Sequence, residues 1–173
     1  MNLLDPIFSS FPKTAARIRA ACSAITAAGG TAYIVGGAVR DAIMQRPIKD
    51  IDIEVHGIPL DQLQVLLGEY ETVALIGKSF GVLRWFESGI DWSLPRTDSS
   101  GRKPQVTINP HLAIADALRR RDLTMNAMAL NVHTGELVDP FGGLADITKK
   151  ILRAPDIKFF PEDPLRFYRV LQF

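Results

Sequence analysis

Residues 49–55 alternate between acidic and apolar side chains, and this alternation constrains the fold more than any other stretch of the chain. On a β-strand, such a pattern places all acids on one face and all aliphatic residues on the other. The acidic face would carry Asp50, Asp52 and Glu54, and the apolar face Ile51, Ile53 and Val55. Carboxylates two residues apart on a strand lie roughly 7 Å from each other, close enough to hold one or two divalent cations between them. The pattern therefore allows either an amphipathic strand with a solvated acidic face or a metal site.

The composition is that of an ordinary globular protein. The chain has 173 residues, of which 47% are hydrophobic and 23% charged, so it can form one domain with a core, or one domain with a short appendage. The net charge of +1 predicts no global field that would attract a nucleic acid or a membrane surface. Basic residues do cluster at Arg119–Arg121 and again from Lys149 to Arg169, but each run alone could be a solvated face.

Cysteine and histidine usage argues against a disulfide framework or a zinc site. Cys22 is the only cysteine, and the three histidines are isolated along the chain. No apolar run approaches the roughly 20 residues that span a bilayer. The Ala-rich N-terminal stretch has apolar residues at helical spacing, which favours an amphipathic helix ending at Gly29-Gly30 over a targeting segment. We therefore expect no membrane partner and a cytoplasmic location.

Strands and helices are mixed without strict βαβ alternation, which predicts the α+β class. Strands are expected at 31–35, 49–55, 71–76, 82–87 and 90–94, and a hairpin at 127–138. Helices are expected at 38–44, 60–67, 113–121 and 161–173. Turns are expected at 78–81, 88–89 and 139–143, and a mobile loop at 97–110.

Two glycines stand where the first predicted strand meets the next helix, in the run Gly-Gly-Ala-Val-Arg-Asp at residues 36–41. Glycine lets the backbone approach a ligand closely, and a helix start offers free N–H groups to an anion. Arg40 would lie one turn into the helix, where its guanidinium could pair with a phosphate. A tight turn with a surface arginine is the alternative. The run 36–41 ends nine residues before Asp50, and an anion site beside paired carboxylates is what chemistry on a nucleotide polyphosphate requires.

The order of these motifs resembles the head domain of the tRNA nucleotidyltransferase/poly(A) polymerase family, the class II branch of the polymerase-β-type nucleotidyltransferases. The resemblance begins with Gly-Gly-x-Val-Arg-Asp and the following Asp-x-Asp. Three further segments are similar to family motifs: 90–96 to the third-carboxylate strand, 120–127 to the Arg-Arg-Asp motif, and 162–166 to the nucleotide-selecting motif. Residues 139–143 match a structural turn of the family. The resemblance covers Tyr33 to Phe173.

The resemblance implies a role for each matching residue. Asp50 and Asp52 would be catalytic ligands of Mg²⁺, and Asp91 the third acidic residue, although Asp91 alone could be an ordinary strand acid. The nucleotide-binding residues would be Gly37, Arg40, Arg121, Asp163, Arg166 and Arg169. Among these, Gly37 and Arg40 would contact the phosphates and ribose, Arg121 a phosphate or another part of the nucleotide, and Asp163 with Arg166 the edge of the incoming base.

The last predicted helix supports that assignment on physical grounds. Asp163 suits its N-cap and Pro164 its first position. Asp163, Arg166 and Arg169 are spaced three residues apart and so share one face. A carboxylate and a guanidinium together offer acceptors and a planar set of donors, which can pair with a base edge. The alternative is a capped helix with solvent-facing arginines.

By this resemblance we expect an α+β polymerase-β-type nucleotidyltransferase fold, with a mixed or antiparallel sheet flanked by helices. Three regions are expected: an N-terminal helical extension at 1–30, a head domain at 31–155, and the start of a helical neck at 156–173. The match departs from the family at Gln172, where the family pattern has another arginine. Relatives continue into neck, body and tail regions beyond the position of Phe173, so the chain is either a fragment of a longer enzyme or a shortened protein.

The expected activity is template-independent transfer of CMP or AMP from CTP or ATP to the 3′-hydroxyl of an RNA, with a tRNA acceptor end as the expected substrate. Two alternatives stay open. Poly(A) polymerase activity would use ATP only and would share the same motifs. A shortened, non-catalytic module would bind a nucleotide but transfer nothing.

Overall fold

The computed structural model describes residues 2–77, 81–98 and 106–173. The first part of the chain forms α1 (Leu4–Ser9), α2 (Ala15–Ala27), β1 (Thr31–Val35), α3 (Gly37–Ile43), β2 (Asp52–His56) and α4 (Leu60–Gly68). The middle part forms β3 (Val73–Gly77), β4 (Val82–Trp85), β5 (Asp91–Ser93), β6 (Arg96–Asp98), β7 (Val106–Ile108) and α5 (Ile114–Arg119). The last part forms β8 (Ala129–Asn131), β9 (Leu137–Val138), α6 (Gly143–Lys149) and α7 (Leu165–Val170), with 3-10 turns at Thr124–Asn126 and Phe160–Glu162.

Seven strands form one sheet in the order β3-β4-β5-β2-β1-β8-β9. Strands β2 and β5 run parallel, and every other neighbouring pair described in this sheet is antiparallel. Strands β6 and β7 form a separate antiparallel pair. The predicted α+β class, with a mixed sheet flanked by helices, is confirmed.

Each face of the sheet packs against its own apolar cluster. The larger cluster joins the sheet to α1, α2, α3 and α4, and it includes the fully buried indoles of Trp85 and Trp92, whose ring centroids lie 4.9 Å apart. A smaller cluster lies under α5 and consists of Val35, Leu118, Ala127 and Ala129. This second cluster packs Leu118 of α5 against Val35, which is the register partner of Asp52 at the start of β2.

Several elements differ from the sequence-based prediction. The strand predicted at 49–55 begins at Asp52, so Asp50 lies just before it. The ends of the predicted loop at 97–110 pair as strands β6 and β7, while residues 99–105 lie outside the described residues. Positions 78–80 of a predicted turn also lie outside them. The helix predicted at 161–173 is split into a 3-10 turn and α7.

The structure also contains helices that sequence patterns did not predict. Helix α1 is one of them, and its residues Leu4, Ile7 and Phe8 are buried in the larger core cluster. Helix α6 is another, and it follows directly from the turn predicted at 139–143. The Asp139 carboxylate accepts hydrogen bonds from the amides of Gly143 and Leu144, at 2.7 and 2.9 Å, so this turn serves as the start of a helix.

No helix among the described residues is both long enough and apolar enough to cross a membrane. The predicted division into an extension at 1–30, a head at 31–155 and a neck from 156 stays a prediction.

Candidate active site

One polar cavity of about 490 Å³ opens where the turn after β1, the start of β2, the end of α5 and helix α7 meet. It is lined by six arginines, four aspartates, an asparagine and two glycines: Arg40, Arg96, Arg120, Arg121, Arg166, Arg169, Asp50, Asp52, Asp122, Asp163, Asn126, Gly36 and Gly37. Every residue that the sequence predicted to bind the nucleotide or the metal lines this cavity. The predicted site residues are therefore brought together, with the exception of Asp91.

The paired aspartates lie at the entry of β2. Asp50 precedes the strand, Asp52 is its first residue, and both line the cavity. Partial burial raises the pKa of Asp52 above its ordinary value, and the negative charges of Asp50 and Asp91 act in the same direction against the attraction of Arg121. An acidic pair under mutual repulsion is a suitable place for a cation.

Asp91 lies one strand away from the pair and is already engaged. It is the register partner of Asp52 across the parallel strands β2 and β5. Its two carboxylate oxygens accept hydrogen bonds from Nε and Nη2 of Arg84, at 2.6 and 2.7 Å. Asp91 is not among the residues that line the cavity. Its catalytic role stays a prediction, and its negative charge helps to raise the pKa of Asp52.

The turn between β1 and α3 holds the guanidinium of Arg121. Gly36 has φ +71° and ψ −128°, a conformation that glycine adopts without steric cost. A Cβ atom at Gly36 would stand 2.7 Å from Nη1 of Arg121, so a side chain there would displace the guanidinium. Burial lowers the pKa of Arg121, while the nearby carboxylates of Glu54 and Asp52 oppose that shift. Glycine at position 36 thus allows the tight turn and also leaves room for the guanidinium of Arg121.

Glu54 shares a face with Asp52, as the alternating pattern predicted, but that face is not solvated along its length. The Glu54 side chain is completely buried, and its Oε1 lies 3.1 Å from Nε2 of His56. The other ring nitrogen of His56, Nδ1, donates to the carbonyl of Leu112 at 2.9 Å. Burial alone would raise the pKa of Glu54, but the hydrogen bond with His56 and the charge of Arg121 hold it below its ordinary value. The interpretation of a solvated acidic strand face is therefore wrong.

Arg40 is held in place by two partners. Its Nε and Nη2 donate to the carboxylate of Asp41, both at 2.8 Å, and its Nη1 donates to Oδ1 of Asn126 at 2.6 Å. The aromatic ring of Phe173 lies over the same guanidinium, 4.8 Å from ring centroid to Cζ. Arg40 therefore enters the cavity as a fixed cation from α3.

Helix α7 and the residue Asp163 before it supply another part of the cavity wall. The helix begins at Leu165, so the residue directly before it is Pro164 and not Asp163 as predicted. Oδ1 of Asp163 nevertheless accepts a hydrogen bond from the amide of Leu165 at 2.9 Å, which satisfies a free N–H group at the helix start. Arg166 donates to the carbonyls of Phe159 and Arg120. Arg169 donates to Oδ2 of Asp122 at 3.1 Å. The three predicted residues of this helix face the cavity together, as their spacing indicated.

Five cavity residues were not assigned a role from the sequence: Gly36, Arg96, Arg120, Asp122 and Asn126. Three of them lie within the Arg-Arg-Asp segment at 120–127, so the motif located the right segment but singled out only Arg121. Asp122 is buried and accepts hydrogen bonds from Leu123, Asn126 and Arg169. Burial would raise the pKa of Asp122, but these hydrogen bonds and the charge of Arg169 lower it. It is therefore a carboxylate that stays ionised in the site.

The donor set suits a hard cation that shares its coordination with substrate. Among the residues that the structure describes, no group of three or more His, Cys, Asp and Glu side chains could hold a metal ion. The two carboxylates of Asp50 and Asp52 supply oxygen ligands only. Mg²⁺ is typically bound through one or two carboxylates together with waters and substrate phosphates, so two protein ligands beside an arginine-lined cavity fit this ion.

Comparison with known proteins agrees with this geometry. Residues 32–153 match the family model described as the poly(A) polymerase head domain. The multifunctional CCA protein of Stenotrophomonas maltophilia strain K279a is 39% identical over 145 residues, which cover 82% of this chain and 34% of that protein. The CCA-adding enzyme of Streptococcus thermophilus strain CNRZ 1066 is 38% identical over 156 residues, covering 86% of this chain and 37% of the relative.

Solved structures of CCA-adding enzymes have the same fold. The Thermotoga maritima enzyme complexed with tRNA superposes with a TM-score of 0.78 at 25% identity, over 99% of this chain and 40% of that one. The Bacillus stearothermophilus enzyme in complex with CTP gives a TM-score of 0.75 at 29% identity, over 97% and 39%. The chain thus spans between a third and two fifths of the length of these relatives. On the evidence of the family match and these relatives, the chain belongs to the tRNA nucleotidyltransferase/poly(A) polymerase family, to the region of its head domain.

Proposed function

We propose that this chain carries the catalytic site for adding CMP and AMP to the 3′ end of a tRNA, using CTP and ATP. The observation that carries the proposal is the single cavity in which Asp50 and Asp52 face six arginines. A nucleoside triphosphate has several negative charges and a base with a polar edge. The cavity offers cations for the charges, and it offers Asp163 with Arg166 for the base edge.

In the proposed reaction, the 3′-hydroxyl oxygen of the RNA attacks the α-phosphate, forms a new O–P bond and loses its proton to solvent water. The bond from the α-phosphate to the bridging oxygen breaks, and pyrophosphate leaves with that electron pair. Arg40 and Arg121 bind the phosphates, and Asp50 and Asp52 would hold Mg²⁺. Mg²⁺, when bound, lowers the pKa of the attacking hydroxyl and neutralises the charge that develops on the leaving oxygens.

The relatives support the choice of RNA and nucleotide. One similar structure is of a tRNA nucleotidyltransferase complexed with a primer tRNA and an incoming ATP analogue, with a TM-score of 0.70 and 31% identity over 88% of this chain. The two relatives compared by sequence are named for CCA addition. CCA addition is therefore favoured over poly(A) addition. A cytoplasmic location is part of the same proposal.

Sequencing of the reaction products tests the proposal against its alternatives. The 173-residue chain is incubated with a tRNA that lacks its terminal CCA, in the presence of Mg²⁺ and CTP alone, ATP alone, or both, and the 3′ ends are sequenced. CCA addition predicts C-C with CTP alone and C-C-A with both. A run of A residues with ATP alone would indicate a poly(A) polymerase. Binding of CTP without any extension would support the nucleotide-binding module.

A further inference from the structure

Asn126 lies between two charged groups that come from distant parts of the chain. Its side chain is 7% exposed and lines the cavity. Oδ1 of Asn126 accepts the hydrogen bond from Nη1 of Arg40 at 2.6 Å. Its Nδ2 donates to Oδ1 of Asp122 at 3.0 Å. One amide thus joins a cation of α3 to an anion that follows α5.

The same contacts extend across the cavity to helix α7. Oδ2 of Asp122 accepts the hydrogen bond from Nη1 of Arg169 at 3.1 Å. The described hydrogen bonds therefore run from Arg40 through Asn126 and Asp122 to Arg169. These two arginines come from different helices, α3 and α7, and the two residues between them connect their guanidinium groups.

Position 126 requires a donor and an acceptor at the same time. The guanidinium of Arg40 can only donate, and an ionised carboxylate at Asp122 can only accept. A primary amide meets both demands, and only one orientation of the amide does so. An aspartate of the same shape would keep the bond to Arg40 but would set two carboxylates against each other in a buried site.

We infer that Asn126 is a positioning residue that aligns Arg40 and, through Asp122, Arg169 for nucleotide binding. The inference rests on the proposed function, because it concerns how the same cavity is shaped for a nucleoside triphosphate. Asn126 acts through the arginines that contact the nucleotide. Its loss should therefore weaken binding rather than change which nucleotide is chosen.

The test is the affinity of the full 173-residue chain for CTP with Mg²⁺ and without RNA, measured by isothermal titration calorimetry. Asn126→Asp is expected to raise the dissociation constant at least tenfold. Asn131→Asp is the matched control. In the structure, Oδ1 of Asn131 accepts the amides of His133 and Thr134, a role that a carboxylate retains. The control should bind CTP as the unmodified chain does.

An exchange of the two side chains separates positioning from a general structural role. Asp122→Asn combined with Asn126→Asp again places an amide beside a carboxylate, so the double variant should bind CTP at least threefold more tightly than Asn126→Asp alone. Equal or weaker binding by the double variant would overturn the inference. If Asn126→Asp does not fold, Asn126→Ala takes its place, since it introduces no charge and should also weaken binding tenfold.

The outcomes distinguish this inference from the proposed function. Tight CTP binding by the unmodified chain with unchanged affinity in the position 126 variants would refute the role of Asn126 and leave the proposed function standing. No CTP binding by the unmodified chain would refute both.

Discussion

The guanidinium of Arg121 lies directly over Gly36, so close that a Cβ atom at that glycine would stand 2.7 Å from Nη1. This relationship joins the turn after β1 to the segment that follows α5. It explains why a residue without a side chain is required at a position that also lines the cavity. The two features that the sequence presented separately, a glycine turn and an arginine run, are one structural unit.

Gly36→Ala should therefore weaken CTP binding as well as reduce stability. Gly36 combines a positive φ with ψ −128°, a backbone region that residues with a side chain rarely adopt, and this alone should cost about 1–3 kcal/mol of unfolding free energy. Displacement of Arg121 adds a loss of CTP affinity, which we expect to be at least tenfold by calorimetry. Gly89→Ala is the matched control, because Gly89 has φ +70° and open space around its Cβ position. The control should also lose stability, because its φ is positive, but it should keep its affinity for CTP; equal affinity in both variants would contradict the placement of Arg121.

Gly143→Ala should destabilise the fold through a clash with backbone. A Cβ atom at Gly143, the first residue of α6, would overlap the carbonyl oxygen of Thr124 in the 3-10 turn behind the cavity. Neither backbone segment can move freely, so we expect a loss of about 1–3 kcal/mol in urea unfolding. Gly68→Ala, at the end of α4 with nothing near its Cβ position, should instead gain up to about 1 kcal/mol. A neutral Gly143→Ala would show that α6 is not packed against this turn.

Asp52→Asn should stabilise the protein at neutral pH while removing the proposed activity. The pKa of Asp52 is raised in the folded state. Above the ordinary pKa of an aspartate, about 3.9, the folded chain therefore holds a proton that the unfolded chain has lost, and the stability of the fold falls as the pH rises. Asparagine removes that loss. The increase in melting temperature over the unmodified chain should be small near pH 3.5 and larger at pH 7.

The exposed Asp61 in the first turn of α4 provides a contrast for that measurement. Its carboxylate interacts favourably with the helix N-terminus, so Asp61→Asn should lower stability by a few tenths of a kcal/mol, roughly, at pH 7. If Asp52→Asn melted at a lower temperature than the unmodified chain at pH 7, the ionised form of Asp52 would not be disfavoured in the folded state, contrary to the raised pKa.

Cys22 should be unreactive in the folded protein. Burial raises the pKa of its thiol to about 12, and the side chain is 3% exposed in the larger core cluster. Because the thiolate is the reactive form, a disulfide reagent at pH 8.5 should leave native Cys22 unmodified and modify it fully in urea. Above pH 9 the unfolded thiol ionises first, so Cys22 should contribute a loss of stability there. Rapid modification of the native chain would contradict its burial.

Much of the site could be predicted from local sequence because its residues lie in short, ordered motifs. The spacing of Asp163, Arg166 and Arg169 placed them on one side of a helix, and they do face the cavity together. The alternation around Asp52 also placed Glu54 on the same face. The burial of Glu54 could not be predicted, because it depends on tertiary contacts. One of them is with His56, whose other ring nitrogen donates to the carbonyl of Leu112.

The unpredicted features depend on contacts between distant positions. Nothing near Asn126 in the sequence indicates that its partner is Arg40, 86 residues earlier. Likewise, Asp122 and Arg169 are 47 residues apart. For Asp91, the sequence located the strand correctly but not the partner of the side chain. Asp91 pairs with Arg84 because the antiparallel register of β4 and β5 places the two residues opposite each other. Periodicity identifies faces, and only the tertiary fold identifies partners.

The most direct test of the account is the incorporation of radiolabelled CMP into a tRNA that ends just before CCA, by the 173-residue chain and by Asp52→Ala, each checked for folding by circular dichroism. If Asp50 and Asp52 hold the catalytic metal, incorporation by the unmodified chain should depend on Mg²⁺ and should fall by more than about 10²-fold in Asp52→Ala. Metal-dependent incorporation that persists in Asp52→Ala, or its absence from a folded unmodified chain that binds CTP, would contradict the account.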